Sequence, residues 1–215
     1  IIVETQAVAP FHKNGFVVAC GRTRQGVLID PGDEVHGLLE FISKEGISIA
    51  HILLTHAHVD HVTGVGVAKR ALNAPVHLHR DDQFLYEQAV AQGRLFGLDV
   101  DPDLPAIDSY YGPHEKIPFG EYEVRVHHTP GHCPGGVCLE IGRPGERGMD
   151  LFVGDTLFAG SIGRTDLPGG DYATLMGSIR SVLFPFGDEA RVYPGHGPDT
   201  TIGRERKTNP YLQAV

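Results

Sequence analysis

Four potential metal ligands lie within six residues of the sequence, at His56, His58, Asp60 and His61. They follow the apolar run 49–54, whose length and composition predict a buried strand. Neutral imidazole and carboxylate groups are common ligands of divalent cations. Because neighbouring side chains diverge in a tight loop after a strand, this one segment is able to serve two ions, which lie about 3.5–4 Å apart in two-metal sites.

Three further predicted strands end in short glycine-containing loops that each carry a potential ligand. The loops are Gly131-His132, Gly154-Asp155 and Gly195-His196-Gly197. Glycine has no side chain, so the backbone beside each ligand can pass close to an ion. A single His-x-His pair is often only a solvated surface feature, but four strand ends that carry ligands favour a metal centre on one rim of the fold.

The two halves of the chain repeat one order of predicted elements, strands followed by a helix. In the first half an amphipathic helix begins near Val35 and Gly46 ends it. In the second half Asp171 is a good N-cap for the helix that follows the strands. This order predicts the α/β class, with two packed sheets and helices outside them, a four-layer α/β/β/α sandwich. No linker is evident in the sequence, so we expect a single domain over residues 1–215.

Composition excludes several classes of partner. The 18 Lys and Arg residues against 27 Asp and Glu residues give a formal net charge of −9, which opposes binding to nucleic acid or to an anionic membrane surface. The sequence has no apolar run of the roughly 18 residues that a transmembrane helix needs. Three cysteines without a Cys-x-x-Cys pair imply no disulfide framework, and the first residues lack the basic region of a secretory signal. We therefore expect a cytoplasmic protein.

Five short motifs together resemble the metallo-β-lactamase superfamily. They are Thr-His-Ala-His-Val-Asp-His at 55–61, Thr-Pro-Gly-His at 129–132, Gly-Asp-Thr-Leu-Phe at 154–158, Tyr-Pro-Gly-His-Gly-Pro at 193–198 and Thr-Asn-Pro-Tyr-Leu at 208–212. Within that superfamily they are most similar to the short bacterial form of the hydroxyacylglutathione hydrolase (glyoxalase II) branch. The resemblance covers nearly the whole chain and implies a metallo-β-lactamase-type sandwich and a metal-dependent hydrolase.

The resemblance also implies a ligand set for two divalent metal ions. One ion would be held by His56, His58 and His132, the second by Asp60, His61 and His196, and Asp155 would bridge the two. Zinc is the expected metal, with iron or manganese as alternatives, because nitrogen and oxygen ligands accept all three.

The activity that the resemblance implies is hydrolysis of a thioester such as S-lactoylglutathione. Two cations that share a water molecule lower its pKa towards neutrality. The resulting metal-bridging hydroxide would attack the acyl carbonyl, while Asp60 coordinates and orients this nucleophile as the catalytic residue. We expect the small-molecule substrate to contact Phe158, Arg164, Tyr110 and Tyr111. The sequence indicates no oligomeric state.

Two departures from the long glyoxalase II pattern concern the substrate. Only residues 197–215 follow His196, so we expect the helical C-terminal domain that grips glutathione to be absent. Where the long form has a Lys-aromatic-Tyr segment, this sequence has Gly-Arg-Thr-Asp at 163–166, which short bacterial members share. Arg164 would contact a substrate carboxylate or instead pair with Asp166 or Asp171.

Other activities of the same fold are alternatives. A persulfide dioxygenase would hold one iron with His56, His132 and Asp155, and also carries Gly-Arg-Thr-Asp. That family dispenses with the second metal and tends to have Pro-Ala-His where this chain has Pro-Gly-His196. A lactonase is a third option, whereas Asp155 stands where true β-lactamases have Cys or Ser, which disfavours lactam hydrolysis. A zinc-stabilised binding module is disfavoured because structural zinc sites are usually closed and Cys-rich.

The remaining cysteines and histidines have simpler interpretations. Cys133 directly follows His132 and is either a thiol close to the metal or a small packing residue. Cys20 and Cys138 lie in apolar strand context, so we expect both in the core. Histidines at strand borders are expected to be packed rather than metal-bound; they are His51, His77, His127 and His128.

Overall fold

Two β-sheets and their covering helices are seen in a computed structural model, which describes residues 1–9, 11–97, 100–102 and 104–213. The strands are β1 (Ile2–Val8), β2 (Lys13–Ala19), β3 (Gln25–Ile29), β4 (Ser48–Leu53), β5 (Val76–Leu78), β6 (Ser109–Tyr110), β7 (Lys116–Phe119), β8 (Tyr122–His128), β9 (Val137–Gly142), β10 (Asp150–Gly154), β11 (Leu157–Phe158), β12 (Ser161–Ile162), β13 (Arg191–Pro194) and β14 (Thr200–Thr201). The α-helices are α1 (Val35–Glu45), α2 (Val59–Val62), α3 (Val65–Leu72), α4 (Gln83–Phe96), α5 (Tyr172–Ser178), α6 (Ile202–Thr208) and α7 (Pro210–Gln213).

The order of strands in the two sheets determines where the strand ends meet. The first sheet has the order β1-β2-β3-β4-β5-β6 and the second β14-β13-β10-β9-β8-β7, while β11 and β12 form a separate hairpin. Strands β3 to β6 pair in parallel, as do β10 and β13. Because parallel neighbours end at the same edge, the loops after β3 and β4 lie side by side, and so do the loops after β10 and β13.

Three apolar clusters separate the layers. Between the sheets, Phe16 of the first packs edge-on against Phe152 of the second, with ring centroids 5.0 Å apart. A second cluster, which includes Leu38, lies under α1, α3 and α4 on the outer face of the first sheet. A third, which includes Leu175, lies under α5 on the outer face of the second sheet. The predicted α/β/β/α sandwich is therefore confirmed.

Several local predictions are also confirmed. Gly46 ends α1 in the left-handed conformation, with φ 62° and its N–H directed at the carbonyls of Ile42 and Ser43. The side chain of Asp171 accepts a hydrogen bond from the Thr174 N–H at 2.7 Å and caps α5. Within the described ranges, no helix combines the length and the apolar character that a membrane crossing requires. Two predicted core cysteines are buried, namely Cys20 and Cys138.

Candidate metal centre

The segment from Thr55 to His61 turns sharply between β4 and α2. His58 has an extended backbone (φ −65°, ψ 150°) and is the N-cap of α2, so Asp60 and His61 lie in the first turn of this helix. His56 and His61 are 1% and 0% exposed. The change from extended to helical backbone directs neighbouring side chains to different sides, which allows one segment to contribute to two clusters of ligands.

The first ligand group consists of His56 and His132, which are buried, and His58, which is half-buried. One potential ligand atom from each lies within 4.8 Å of the others. Nδ1 of His58 is 2.8 Å from Nε2 of His132. The ring of His56 is nearly perpendicular to the other two, with centroid distances of 4.9 and 5.0 Å. Three imidazoles arranged in this way can each direct a lone pair at one cation.

The second ligand group consists of Asp60, His61 and His196, and it combines the first turn of α2 with the loop after β13. Nε2 of His196 lies 3.2 Å from Oδ2 of Asp60, and Nε2 of His61 lies 3.9 Å from the same oxygen. His61 is buried, whereas Asp60 and His196 are half-buried. The second ligand group is therefore the more accessible of the two.

Asp155 lies between the two ligand groups. Its Oδ2 is 3.6 Å from Nε2 of His132 and 3.6 Å from Nε2 of His196. Its Oδ1 is 3.4 Å from Nε2 of His61. The carboxylate thus faces both groups, as a bridging ligand must. The structure brings every metal-ligand residue predicted from the sequence to this one rim of the sandwich.

Hydrogen bonds on the far side of the rings orient two of the imidazoles. Nδ1 of His132 donates to the main-chain carbonyl of Arg164 at 2.8 Å, and Nδ1 of His61 donates to Oδ2 of Asp30 at 2.9 Å. A proton on Nδ1 leaves the lone pair on Nε2, and this is the nitrogen that faces the other ligands. Such outer partners are what fixes the tautomer and the direction of a metal-binding histidine.

Four buried polar atoms of the centre have no hydrogen-bond partner among the residues that the structure describes. They are Nε2 of His56, His58 and His61, and Oδ1 of Asp155. Each buried polar atom without a partner costs about 1–3 kcal/mol, and native proteins rarely keep several side by side. Cations bound in the centre would satisfy Nε2 of His56 and His61 and Oδ1 of Asp155, whereas His58 presents its other nitrogen, Nδ1, to His132. The residues present therefore fit divalent metal ions.

The electrostatics of the two ligand groups differ. Burial, together with the neighbouring imidazoles, lowers the pKa of His56 well below its usual value and lowers the pKa of His58 to about 4. Burial also opposes a charge on His61, but the carboxylates of Asp60 and Asp155 outweigh it and raise the pKa of His61 to about 10. Without a metal, His56 and His58 of the first ligand group therefore offer neutral lone pairs, and His61 of the second holds a proton where a cation would bind.

Sequence reasoning missed Asp30, because Asp30-Pro31-Gly32 indicated only a turn. The Asp30 side chain is fully buried at the end of β3. Its Oδ1 accepts from the Thr55 N–H at 2.7 Å, and its Oδ2 accepts from the Thr55 hydroxyl and from His61. Asp30 is close enough to His56 and His61 for a third ligand cluster. Its two oxygens already accept hydrogen bonds from Thr55 and His61, so Asp30 positions these residues instead of binding a metal. The sequence signal that could have identified Asp30 is its position directly after β3, a strand that ends at the same rim as the ligand loops.

Asp82 was also missed, and it joins the two loops that carry the first ligand group. Its Oδ2 accepts from the Ala57 N–H at 3.1 Å and from the Cys133 thiol at 3.2 Å, and its Oδ1 accepts from the Gly135 N–H at 2.6 Å. Burial and the Asp82 carboxylate raise the pKa of Cys133 well above its usual value. Cys133 is therefore a neutral hydrogen-bond donor in the packing around the site and not a thiolate ligand.

The loop that carries His196 is held against β2. Asn14 donates from Nδ2 to the two carbonyls that flank the pair Gly195-His196, at 2.9 and 2.8 Å. Nδ1 of His196 donates to a further carbonyl, that of Phe11, at 3.2 Å. Gly195 is needed for the close approach of this loop, because a Cβ atom there would lie 2.7 Å from Cε1 of His61.

Two of the predicted substrate contacts lie near the metal centre. Phe158 is half-buried, and its ring is perpendicular to that of His196 at a centroid distance of 6.0 Å. The guanidinium of Arg164 is exposed and pairs with Asp166 through contacts of 2.8 and 2.7 Å. The structure therefore contains the ion pair with Asp166 that was the alternative for the Arg164 side chain. The main-chain carbonyl of Arg164 orients His132.

The two predicted tyrosine contacts are engaged by the protein itself. The Tyr110 hydroxyl donates to Oε1 of Gln83 at 2.7 Å. Tyr111 is only 7% exposed, belongs to the cluster between the sheets, and donates to the Leu54 carbonyl at 3.2 Å. The expectation for Tyr111 is therefore corrected: its ring is part of the core and its hydroxyl is already satisfied, so it has little surface to offer a substrate.

Histidines at strand borders have protein partners. Nδ1 of His51 lies 3.0 Å from Nε2 of His77, and Nε2 of His127 lies 2.7 Å from Oε2 of Glu140. These three are packed residues, as predicted.

Comparison with known proteins places this arrangement in a family. A family model of the metallo-beta-lactamase superfamily matches residues 8–196. Hydroxyacylglutathione hydrolase GloC of Haemophilus influenzae is 37% identical over 215 residues, which cover 99% of this chain and 98% of that protein. The chain belongs to the metallo-beta-lactamase superfamily.

Solved structures agree with this assignment. The crystal structure of TTHA1623 in a di-iron-bound form has a TM-score of 0.84 and 41% identity, covering 98% of this chain and 100% of that one. The crystal structure of BLEG-1 B3 metallo-beta-lactamase has a TM-score of 0.88 and 34% identity, covering 99% and 100%. The crystal structure of ETHE1 from Myxococcus xanthus shares the fold, with a TM-score of 0.81. It is 24% identical and covers 100% of this chain and 86% of that one. Fold and ligand clusters together define a metal-dependent hydrolase of the superfamily.

Proposed function

We propose that the protein is a binuclear metal hydrolase that cleaves thioesters such as S-lactoylglutathione, as glyoxalase II does. The observation that carries the proposal is a pair of ligand groups with Asp155 between them, each complete with three side chains. The 37% identity to GloC over nearly the whole chain supports a thioester substrate.

Zinc is the metal that we propose for this centre. Its ligand set contains imidazole and carboxylate and no thiolate, which suits zinc and also suits iron or manganese. The di-iron-bound form of TTHA1623 supports iron as the alternative. When bound, two such ions lower the pKa of a shared water molecule and polarise the acyl carbonyl.

The residues of the chain have separate roles in this reaction. Asp60 is half-buried at the more accessible of the two ligand groups, where its carboxylate can coordinate and also accept a hydrogen bond from the attacking water. His61 and His132 are held in place from behind by Asp30 and by the Arg164 carbonyl. The geometry is thus set before the substrate arrives, which lowers the cost of reaching the transition state.

We propose that the substrate approaches from the side of Phe158. The half-buried ring of Phe158 stands beside His196 and offers an apolar surface to the acyl or thiol part. Arg164 is exposed and would exchange its Asp166 partner for a substrate carboxylate at small cost, because an exposed ion pair contributes only about 0–1 kcal/mol. Tyr110 would contribute at the periphery.

The test is thiol release from S-lactoylglutathione by protein of known metal content. We expect turnover by protein that carries two ions per chain, and no turnover by the His58→Ala variant. Protein that carries two ions and hydrolyses neither thioesters nor lactones would refute the proposal. A β-lactam belongs in the same assay, because BLEG-1 is similar over the whole chain.

A mononuclear iron persulfide dioxygenase is the second candidate function. The segment Gly-Arg-Thr-Asp at 163–166, which that family also carries, favours it. The complete second ligand group argues against it, because one iron would need only His56, His132 and Asp155. A single iron per chain together with oxygen uptake on glutathione persulfide would select this candidate.

A further inference from the structure

A cluster of two histidines and one aspartate lies outside the metal centre. His79 follows β5 of the first sheet, and His128 ends β8 of the second. Their rings stack in parallel, with centroids 4.3 Å apart and an angle of 10° between the planes. Oδ2 of Asp81 is 3.8 Å from Nδ1 of His79. One potential ligand atom from each of the three residues lies within 4.8 Å of the others.

Hydrogen bonds show which nitrogens of these rings carry lone pairs. Nε2 of His128 lies 2.8 Å from the carbonyl oxygen of Pro134, which can only accept, so Nε2 carries the proton and Nδ1 keeps a lone pair. Nδ1 of His79 accepts a hydrogen bond of 3.3 Å from the main-chain N–H of Asp81, so an ion at this nitrogen would replace that long hydrogen bond. A ring held by an N–H to carbonyl bond on one nitrogen is the usual outer arrangement of a metal-binding histidine.

The charge state of the pair also suits a cation. Burial and the neighbouring His128 ring lower the pKa of His79 below its usual value. His79 is therefore an uncharged imidazole at neutral pH. The cluster has one carboxylate, Asp81, so a bound divalent ion would meet one carboxylate and two imidazole donors.

The surroundings leave room to complete the coordination. A cavity of about 420 Å³ adjoins the cluster, and its lining includes His79, His128, His114 and His127. The side chain of Asp81 is 57% exposed, so an ion can reach the cluster from solvent. Water from the cavity or from solvent can occupy the coordination positions that the three side chains leave free.

We propose that His79, Asp81 and His128 form an additional site for a transition-metal ion such as Zn²⁺, distinct from the hydrolytic centre. Two imidazole nitrogens and one carboxylate oxygen, with water in a fourth position, form a donor set that Zn²⁺ uses. Mg²⁺ and Ca²⁺ prefer all-oxygen sets and would bind here poorly. An ion at this site would connect the ends of β5 and β8 and so link the two sheets beside the cavity.

Equilibrium dialysis of the full chain against buffered free Zn²⁺, followed by elemental analysis, tests the site. We expect the wild-type protein to bind one more equivalent of Zn²⁺ than His128→Ala or His79→Ala. In Asp81→Asn the affinity for that equivalent should fall by at least about tenfold, the lower end of the loss seen when a metal site loses a supporting partner. Mg²⁺ should not compete for this equivalent.

The matched control is His36→Ala, which removes an exposed histidine on α1, outside the proposed site. This variant should retain the full Zn²⁺ count. Equal Zn²⁺ binding by the wild type, Asp81→Asn and both histidine variants at all free concentrations would overturn the proposal. Asp81 is exposed, so its substitution does not threaten the fold. All these variants keep the hydrolytic ligands, so failure of the thioesterase assay leaves this result intact.

Discussion

Asp30 and His61 form a fully buried carboxylate–imidazole pair, in which Nδ1 of His61 donates to Oδ2 of Asp30 at 2.9 Å. The bond turns Nε2 of His61 towards Asp60 and Asp155. The same carboxylate accepts two hydrogen bonds from Thr55, the residue before the first histidine ligand. One aspartate at the end of β3 thus positions the beginning and the end of the segment that carries both ligand groups.

Asp30→Asn should weaken the binding of a metal ion to the second ligand group by about 10- to 100-fold, because the loss of an outer partner has this effect on a metal site. Asparagine keeps the size of the side chain and removes its charge. Competition with a chelator of known affinity measures the change. Asp33→Asn is the matched control, since Asp33 is exposed three residues further on. Unchanged affinity in Asp30→Asn would show that the pair has no influence on the metal.

His58→Ala should abolish metal binding at the first ligand group and thioester hydrolysis together. His58 contributes one of the three nitrogens of that group, so the loss should exceed the about 100-fold upper limit typical of a residue that only orients a ligand. Metal content and thiol release are measured on the same preparation, with His36→Ala as the control. Full metal content and full activity in His58→Ala would mean that His58 is not a ligand.

Asp82→Ala should lower the free energy of unfolding of the metal-free protein by about 3 kcal/mol or more. Three buried donors, from Ala57, Cys133 and Gly135, would lose their acceptor, and each unsatisfied buried donor costs about 1–3 kcal/mol. Urea unfolding measures the change. Cys133→Ser keeps a donor in place and should be much milder, and Asp81→Asn on the surface should change stability by less than about 0.5 kcal/mol. Similar stabilities for Asp82→Ala and Asp81→Asn would contradict this prediction.

Metal binding to the second ligand group should release a proton and strengthen with pH. Although burial opposes its charge, Asp60 and Asp155 raise the pKa of His61 to about 10, so His61 is protonated at neutral pH and must lose that proton to bind a metal through Nε2. Affinity for this ion should rise about tenfold per pH unit for each proton displaced, up to the pKa. The pKa of His58 is lowered to about 4, so this ring of the first ligand group has no proton to release at neutral pH.

Calorimetric titrations in two buffers with different ionisation enthalpies count the released protons. We expect the two binding steps to differ, with proton release confined mainly to one of them. Affinities independent of pH between about 6 and 9 for both ions would contradict the assigned charge of His61.

Much of the metal centre could be predicted because its ligands carry local signals. The spacing of His56, His58 and Asp60 in one short segment, and the glycines beside Asp155 and His196, are visible without any knowledge of the fold. The helix ends at Gly46 and Asp171 were predictable for the same reason, since capping depends on residues a few positions apart. Tyr111 was misplaced because polarity alone does not distinguish a tyrosine in the core from one at a surface.

By itself, the sequence determined which side chains have the chemistry of metal ligands and the order of strands and helices that carries them. The tertiary structure alone decided how those ligands are held. Asp30 and His61 are 31 positions apart, and Asp82 and Cys133 are 51 apart. A hydrogen bond requires its two atoms within about 3 Å and well aligned. Such contacts exist only after the parallel strands have brought distant chain segments to one rim, and no local pattern specifies them.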